Sequence, residues 1–343
     1  MRGILISSVE EKAGKTSLIL ALNEIFSGYK TAYFKPFGTS PVREGEFLVD
    51  EDLKIVEENF RKSLNPIVLD MPYAEFVYSS DSVELKKAII EAYEELDADI
   101  VFVEGSSEYK VGKSLGISDD MVAEILDLKV LVIAKYSNDF VIDRVLTAKD
   151  VFKERLRKVL INQLTGYKTS YVSAVVGKVF AENDLSVVGV LPRDPLLAGM
   201  SIEEVREAVE GEFVVKAEEG IIEHFIIGAM SKKSAEKFLA GKDNLAVITG
   251  GDRKDIQLLA LNYSNVKCLI LTGNLYPERD VIEEASRKGV SVIVVPEDTL
   301  TTTEQLEEAM RKAKIRGKEK IEGMVDLVKM HVNVDEIERY IFD

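Results

Sequence analysis

Short runs of β-branched and aliphatic residues alternate with longer stretches whose apolar positions recur at helical spacing through the first two thirds of the chain. RGILISS reads as a strand, and TSLILALNEIFSG reads as a helix closed by Gly28. KTAYFKPF is the next strand. DEDLKIVEENFRKSL and SVELKKAIIEAYEELDA read as helices. DIVFVEGSS is a continuous apolar run, as a strand covered on both faces requires. KVLVIAKY, KVLINQL and LSVVGVLP follow as strands, with helical segments between them. The series predicts an α/β fold with a parallel sheet covered by helices. A second α/β rhythm begins near Ser201, with HFIIGAM, NLAVITGGDR, VKCLILTGN and VSVIVVPEDT as strands. The boundary is placed at about residue 210, giving domains 1–210 and 211–343. The tail, KEKIEGMVDLVKMHVNVDEIERYIFD, spaces its apolar residues helically and is predicted to pack back on a core or on a second subunit.

A length of 343 residues exceeds one typical core, in keeping with two domains. No apolar run approaches the ~20 residues of a membrane helix. The N-terminal MRGILISSVEEK turns acidic too early for a signal peptide and lacks a small-residue cleavage site. A cytoplasmic protein without a membrane partner is expected. The net charge of −16 disfavours a nucleic-acid partner. Cys268 stands alone, so no intrachain disulfide is expected; it reads as a buried thiol. With His224 and His331 it makes too few ligands for a zinc cluster, so any metal should be a hard ion on carboxylates and phosphate. The lack of Trp and the richness in Lys and Glu fit a thermophile.

The candidate chemistry concentrates in ISSVEEKAGKTS, Ile6 to Ser17, between the first strand and the first helix. Gly14-Lys15-Thr16 ends a phosphate-binding loop. Backbone N–H groups at a helix N-terminus converge there on an anion, lysine adds a point charge near the β- and γ-phosphates, and threonine offers its hydroxyl to Mg2+. The common form, G-x-x-x-x-G-K-[ST], wants glycine where this chain has Val9. A form one residue longer places Ser8 first, so the entrance is substituted rather than missing. Ser8, Gly14, Lys15, Thr16 and Ser17 are the candidate cofactor-binding residues. Lys12 reads as a solvated loop charge. The position at which ParA-type loops carry an extra lysine holds Glu10.

Five marks in order resemble dethiobiotin synthetase over roughly the first 200 residues, most closely the dethiobiotin-synthetase-like domain at the N-terminus of long phosphotransacetylases. KAGKTS corresponds to the phosphate loop, TAYFKPFG to the strand ending in Lys-Pro, and DIVFVEGSS to the strand ending in Glu-Gly. KVLINQL corresponds to the strand ending in Asn, and VVGVLPRDPLL to a late strand with a Gly-x-x-Pro turn. The resemblance implies a P-loop NTPase-like sheet, ATP and Mg2+ as cofactors, and a homodimer. Carried over position by position, it implies Lys15 and Lys35 as the catalytic cations, with Lys35 opposite the γ-phosphate. It implies Thr16, Glu104 and Asp52, or alternatively Asp50, as the metal ligands, and Asn162 as the reader of the adenine edge. Plainer readings stand beside these: Lys35 as a solvated strand end, Glu104 as a structural carboxylate, Asp50 and Asp52 as first-turn residues favoured by a helix dipole, and Asn162 as a turn former.

One departure matters. True dethiobiotin synthetases continue Glu-Gly with a small, glycine-rich loop, whereas Ser106, Ser107, Glu108 and Tyr109 follow Gly105 here. Their side chains would fill space where the diamino acid lies, so the nucleotide half of the pattern is better kept than the substrate half.

The region from about Val205 to Arg311 resembles the DRTGG domain through IIGAMS, VITGGDRKDIQLLAL, LILTGNLYP and VPEDTLTT, although the literal DRTGG string is absent. Gly250 and Gly251 permit backbone approach to a small ligand, Asp252 can cap a helix, and Arg253 can pair with an anion. Thr272, Gly273, Asp298 and Thr299 should gather at the same carboxyl edge. Ordinary strand-to-helix turn chemistry is the alternative. The pairing of domains implies an ATP- and Mg2+-binding regulatory protein whose second domain senses a small molecule or a partner enzyme of acetyl or acyl metabolism. The other reading is an ATP-dependent ligase that activates a carboxylate or carbamate by phosphorylation. The acetyltransferase domain of the long enzymes is expected to be absent, and acetyl transfer with it.

Overall fold

The computed structural model describes residues 1–343 except 46, 166–167, 195–196, 198, 218–219 and 313–317. Pro195 and Leu196 of the late-strand mark VVGVLPRDPLL therefore lie outside the described residues. The chain forms two compact units, Met1–Arg193 with Ile315–Asp343, and Asp194–Lys314.

The first unit is built on a seven-stranded parallel sheet. Its strands run in the order Ser186–Pro192, Leu156–Leu164, Lys129–Lys135, Arg2–Ser8, Ile100–Glu104, Thr31–Phe34 and Ser63–Leu64. Central strands of such a sheet are covered on both faces and need apolar side chains on both. Ile100–Glu104 is buried at every position. In register, Ile6 lies beside Glu104 and Leu131, so the strand that feeds the phosphate loop passes the Glu-Gly turn and ends two residues beyond Glu104, at Ser8. Leu5, Val101, Val103, Val130 and Val132 share one core cluster, as alternation along neighbouring strands demands.

Two features of the first unit differ from the sequence reading. The helix expected over 50–64 spans only Glu51–Val56, and Ser63–Leu64 joins the sheet edge beside Tyr33 and Phe34. Asn65 precedes Pro66, and the residue before a proline is steered toward extended backbone. The second difference is the tail. It belongs to the first unit and not to the second, whose boundary falls at Arg193. The helix Lys318–His331 packs along the helix Lys15–Ile25. Val332 bridges to Gly189, and Asn333 N–H donates to Val188 O at 2.7 Å. The last helix, Val334–Phe342, buries Ile337 and Ile341. Its Tyr340 hydroxyl donates to Arg155 O at 2.6 Å and Val130 O at 3.2 Å.

The second unit holds a five-stranded sheet in the order Glu212–Val215, Ser291–Val294, Val266–Thr272, Leu245–Gly250 and His224–Ile227. The first of these is an antiparallel edge and the other four are parallel. Leu245, Val247, Leu269 and Leu271 face one core cluster; Ala246, Ile248, Cys268 and Ile270 face the other. Burial pushes the Cys268 thiol well above its ordinary range, which makes it inert packing.

Candidate functional site

The phosphate loop closes at Gly14, which takes φ 100° and ψ 28° at the N-terminus of the helix Lys15–Ile25. A Cβ there would come within 2.6 Å of Asn162 Nδ2, so glycine is required on both conformational and steric grounds. The Lys15 ammonium donates to Ser8 Oγ at 2.9 Å and to Ser107 O at 3.1 Å. It is 7% exposed, and burial lowers its pKa; the nearby Glu104 and Asp119 carboxylates offset this only in part. Ser8 therefore occupies the loop entrance as a lysine ligand. Thr16 Oγ1 donates to Glu104 Oε1 at 3.0 Å, and half-buried Ser17 follows in the same first turn.

Lys35 is not a solvated strand end. Its ammonium is 3.0 Å from Asp50 Oδ1 and 3.5 Å from Glu104 Oε1, and it donates to Asp52 Oδ2. Burial alone would lower its pKa, but the three carboxylates outweigh burial and raise it. Asp50 and Asp52 differ in what else they do. Asp50 accepts the Asp52 N–H at 3.0 Å and the Ser40 N–H at 2.9 Å, so it caps the helix Glu51–Val56 and ties down the preceding turn. Asp52 sits in the first turn of that helix, 8% exposed. Glu104 Oε2 accepts from the Tyr33 hydroxyl at 3.0 Å. Burial raises the Glu104 pKa against the pull of Lys35.

Among the described residues no group of three or more His, Cys, Asp or Glu is arranged around one metal position. Thr16 with Asp52 and Glu104 is an all-oxygen set holding two carboxylates. Such a set suits Mg2+, which keeps water and substrate phosphate among its ligands. The carboxylates already share a cation, the Lys35 ammonium, so the chemistry of the donor set fits a hard cation.

Asp119 belongs to this site and the sequence reading missed it. It is fully enclosed, accepts from Ser7 Oγ, and accepts the Ser106 N–H at 2.9 Å. A Cβ on Gly105 would meet the Asp119 carboxylate at 2.0 Å, so glycine after Glu104 makes room for it. Burial pushes the Asp119 carboxyl up to about 6, against its two hydrogen-bond donors. Asp119 thereby fastens the segment 105–109 to the strand that feeds the phosphate loop. Tyr109 N–H donates to Ser8 O at 3.0 Å and completes that seam. The local signal was only Ser118-Asp119-Asp120, which reads as the start of a helix.

Asn162 touches the loop rather than merely turning the chain. Its Nδ2 donates to Ala13 O at 2.7 Å and its Oδ1 accepts the Gln163 N–H at 2.8 Å. In sequence Glu10 marks only a position without lysine. Its Oε2 accepts from Arg144 Nη1 at 3.2 Å.

In the second unit, the Gly251 N–H donates to Thr272 O at 3.2 Å, and Thr272 Oγ1 lies 2.9 Å from Thr299 Oγ1. A Cβ on Gly251 would stand 2.0 Å from Leu275 O, so the chain itself approaches this glycine. Asp252 is exposed, and the helix Lys254–Ala260 starts after Arg253 without a side-chain cap, contrary to the expected role of Asp252. Arg253 pairs with Asp255 at 3.0 Å and donates to Met230 O at 3.2 Å. Gly273 adopts φ 82°, and its N–H donates to Glu297 O at 2.8 Å. Asp298 accepts the N–H groups of Leu300 and Thr301 at 2.7 and 3.0 Å, which is cap chemistry. Gln257, missed by the sequence reading, is fully buried and donates to Gly250 O at 3.1 Å and Gly251 O at 3.0 Å. Its Oε1 and the Oγ1 of buried Thr302 are without a partner among the described residues.

Comparison with known proteins separates the same two regions. Residues 2–201 match the AAA domain family and residues 204–309 match the DRTGG domain family. A phosphate acetyltransferase from Pseudomonas putida is 24% identical over 366 residues, covering 97% of this chain, and the chain spans about half of that relative, 51% of its length. A cobalt-dependent inorganic pyrophosphatase from Clostridium perfringens is 31% identical over 78 residues, 23% of this chain and 14% of the pyrophosphatase. The cell division protein MinD of Aquifex aeolicus aligns at 16% identity and a TM-score of 0.36, over 57% of this chain and 84% of its own. No helix among the described residues is long and apolar enough to cross a membrane. With more than half of its residues, 2–201, matching that family, the chain belongs to the AAA domain family, its P-loop domain followed in sequence by a DRTGG domain.

Proposed function

We propose that the protein binds Mg·ATP in its first unit and acts as a regulator, with the second unit sensing a small molecule or a partner enzyme of acetyl or acyl metabolism. The observation that carries the nucleotide reading is the convergence of Lys15, Thr16, Lys35, Asp52 and Glu104 at one sheet edge, around a loop closed by a left-handed glycine. Lys15 and the loop N–H groups would hold the phosphates, and Thr16, Asp52 and Glu104 would hold Mg2+. Bound Mg2+ would neutralise phosphate charge. Asn162, against the loop backbone, would take the adenine edge with its remaining amide N–H. A homodimer is part of this reading.

The regulatory emphasis rests on the segment 105–109. Ser107 O engages Lys15 and the N–H of buried Tyr109 holds Ser8 O, so the ground that a second substrate would need beside Lys15 carries protein. Lys35 favours the other reading, an ATP-dependent ligase acting on a carboxylate or carbamate, because its ammonium lies within the same carboxylate cluster as the metal set. Calorimetric titration with Mg·ATP tests the core claim. Lys15→Ala should weaken binding roughly 10- to 150-fold through the loss of charged hydrogen bonds, with circular dichroism unchanged. Equal affinity in both proteins would remove the site.

A further inference from the structure

An anion-binding loop with a carboxylate inside it needs a physical account. Glu10 lies four residues before Gly14, within the loop itself. Its backbone carbonyl accepts from Ser8 Oγ at 2.9 Å, and Ser8 Oγ accepts from the Lys15 ammonium. The residue is thus two hydrogen bonds from the charge that would hold phosphate. One carboxylate oxygen, Oε2, faces Arg144 Nη1 at 3.2 Å. The other, Oε1, is buried and has no hydrogen-bond partner among the described residues. The Glu10 side chain is 25% exposed, so solvent screens this carboxylate only in part, and it stands within the loop whose charge it opposes. Arg144 comes from the first turn of the helix Val141–Phe152, and its Nη2 lies 3.4 Å from Ser137 Oγ. A guanidinium carries five N–H groups, and its planar fork suits phosphate as well as carboxylate.

Building on the nucleotide reading of this loop, we propose that Glu10 and Arg144 form a charge brake on it. Glu10 weakens the hold on a polyphosphate, Arg144 offsets Glu10, and the pair sets how tightly and how selectively by charge the loop binds. Repulsion by a fixed carboxylate grows with ligand charge, so removing it favours a triphosphate over a diphosphate. The pair therefore keeps bound nucleotide exchangeable and narrows the preference for ATP over ADP.

The test uses the full chain and calorimetric titration with Mg·ATP, Mg·ADP and inorganic tripolyphosphate, at low and high NaCl. Glu10→Gln should bind ATP and tripolyphosphate about 3- to 10-fold more tightly, with a smaller gain for ADP. Arg144→Gln should bind them about 3- to 10-fold more weakly, and the double variant should return near wild type because its net charge is restored. Both single effects should shrink in high salt. Melting curves of all variants guard against misfolding. A purely structural ion pair would move both single variants in the same direction, and that result overturns the proposal. So does a folded Glu10→Gln protein with unchanged affinity. Absence of Mg·ATP binding by the wild type would overturn the nucleotide reading and this inference together, whereas normal wild-type binding with an inert Glu10 overturns the inference alone.

Discussion

The two units place the same architectural edge at the disposal of different chemistry. In each, parallel strands end at glycine-bearing turns on the carboxyl side of a sheet, where helix N-termini begin. In the first, charges are drawn inside. Lys15, Lys35, Asp50, Asp52, Glu104 and Asp119 are all buried and bound to one another or to the loop. In the second, the charged residues of the turns are partly or fully exposed and occupied locally, Arg253 by Asp255 and Asp298 by its own helix. The buried polar groups there are neutral: Thr249, Thr272, Gln257 and Thr302. Burying a charge is costly unless it is paired, so the first edge makes sense as a place where ions of both signs meet. The second edge has the character of a site for a neutral polar group, or of a well-fastened turn.

Breaking the charge balance of the first edge should have the largest effect. Lys35→Ala leaves three buried carboxylates without their shared cation. Removing one partner of such a cluster costs about 3–5 kcal/mol, read as a fall in the urea midpoint, and millimolar Mg2+ should restore part of it. An unchanged midpoint would mean that the carboxylates find other partners and that the cluster is not a cation site.

The next effect is a pH dependence. Burial pushes the Asp119 carboxyl in the folded protein up to about 6 from the ordinary 3.8. The folded form therefore binds this proton more tightly than the unfolded chain, and the stability it contributes is present at low pH and lost as pH rises through about 6. The difference in unfolding free energy, wild type minus Asp119→Asn, should fall by about 2–3 kcal/mol between pH 4 and pH 7. Parallel stability curves for the two proteins would take Asp119 out of the account.

The second edge should answer quietly. Thr272→Val removes the hydroxyl that meets Thr299, at a cost of about 1 kcal/mol, and Mg·ATP affinity should stay within about twofold of wild type. A large loss of nucleotide affinity from this substitution would erase the contrast between the two edges.

What could be read from the chain divides along the same physical line. The phosphate loop, Lys35 and Glu104 were legible because strand, turn and helix follow one another locally, and the residue at a strand end must lie at the sheet edge. Asp119 meets Ser7 across 112 positions of sequence, and Arg144 meets Glu10 across 134. Nothing in their own neighbourhoods distinguishes them from helix starts and surface cations. The helix forecast over 50–64 failed because periodicity did not register that the segment must reach an edge strand before Pro66. The tail's apolar spacing told that Lys318–Asp343 buries a face, but spacing carries no information on which face it meets, and the tail was given to the wrong unit.

The return of Lys318–Asp343 to the first unit makes the second unit an insertion within the first. This fixes an order of events during synthesis. The seven strands of the first sheet leave the ribosome early, complete by Pro192, while the helix that packs along Lys15–Ile25 is made only after the whole second unit. Domains commonly fold as they emerge. Here the phosphate-loop helix must wait with one flank uncovered through the making of more than a hundred residues. A nascent chain stalled before Lys318 should accordingly be open to proteases at that flank, and a finished one should be closed.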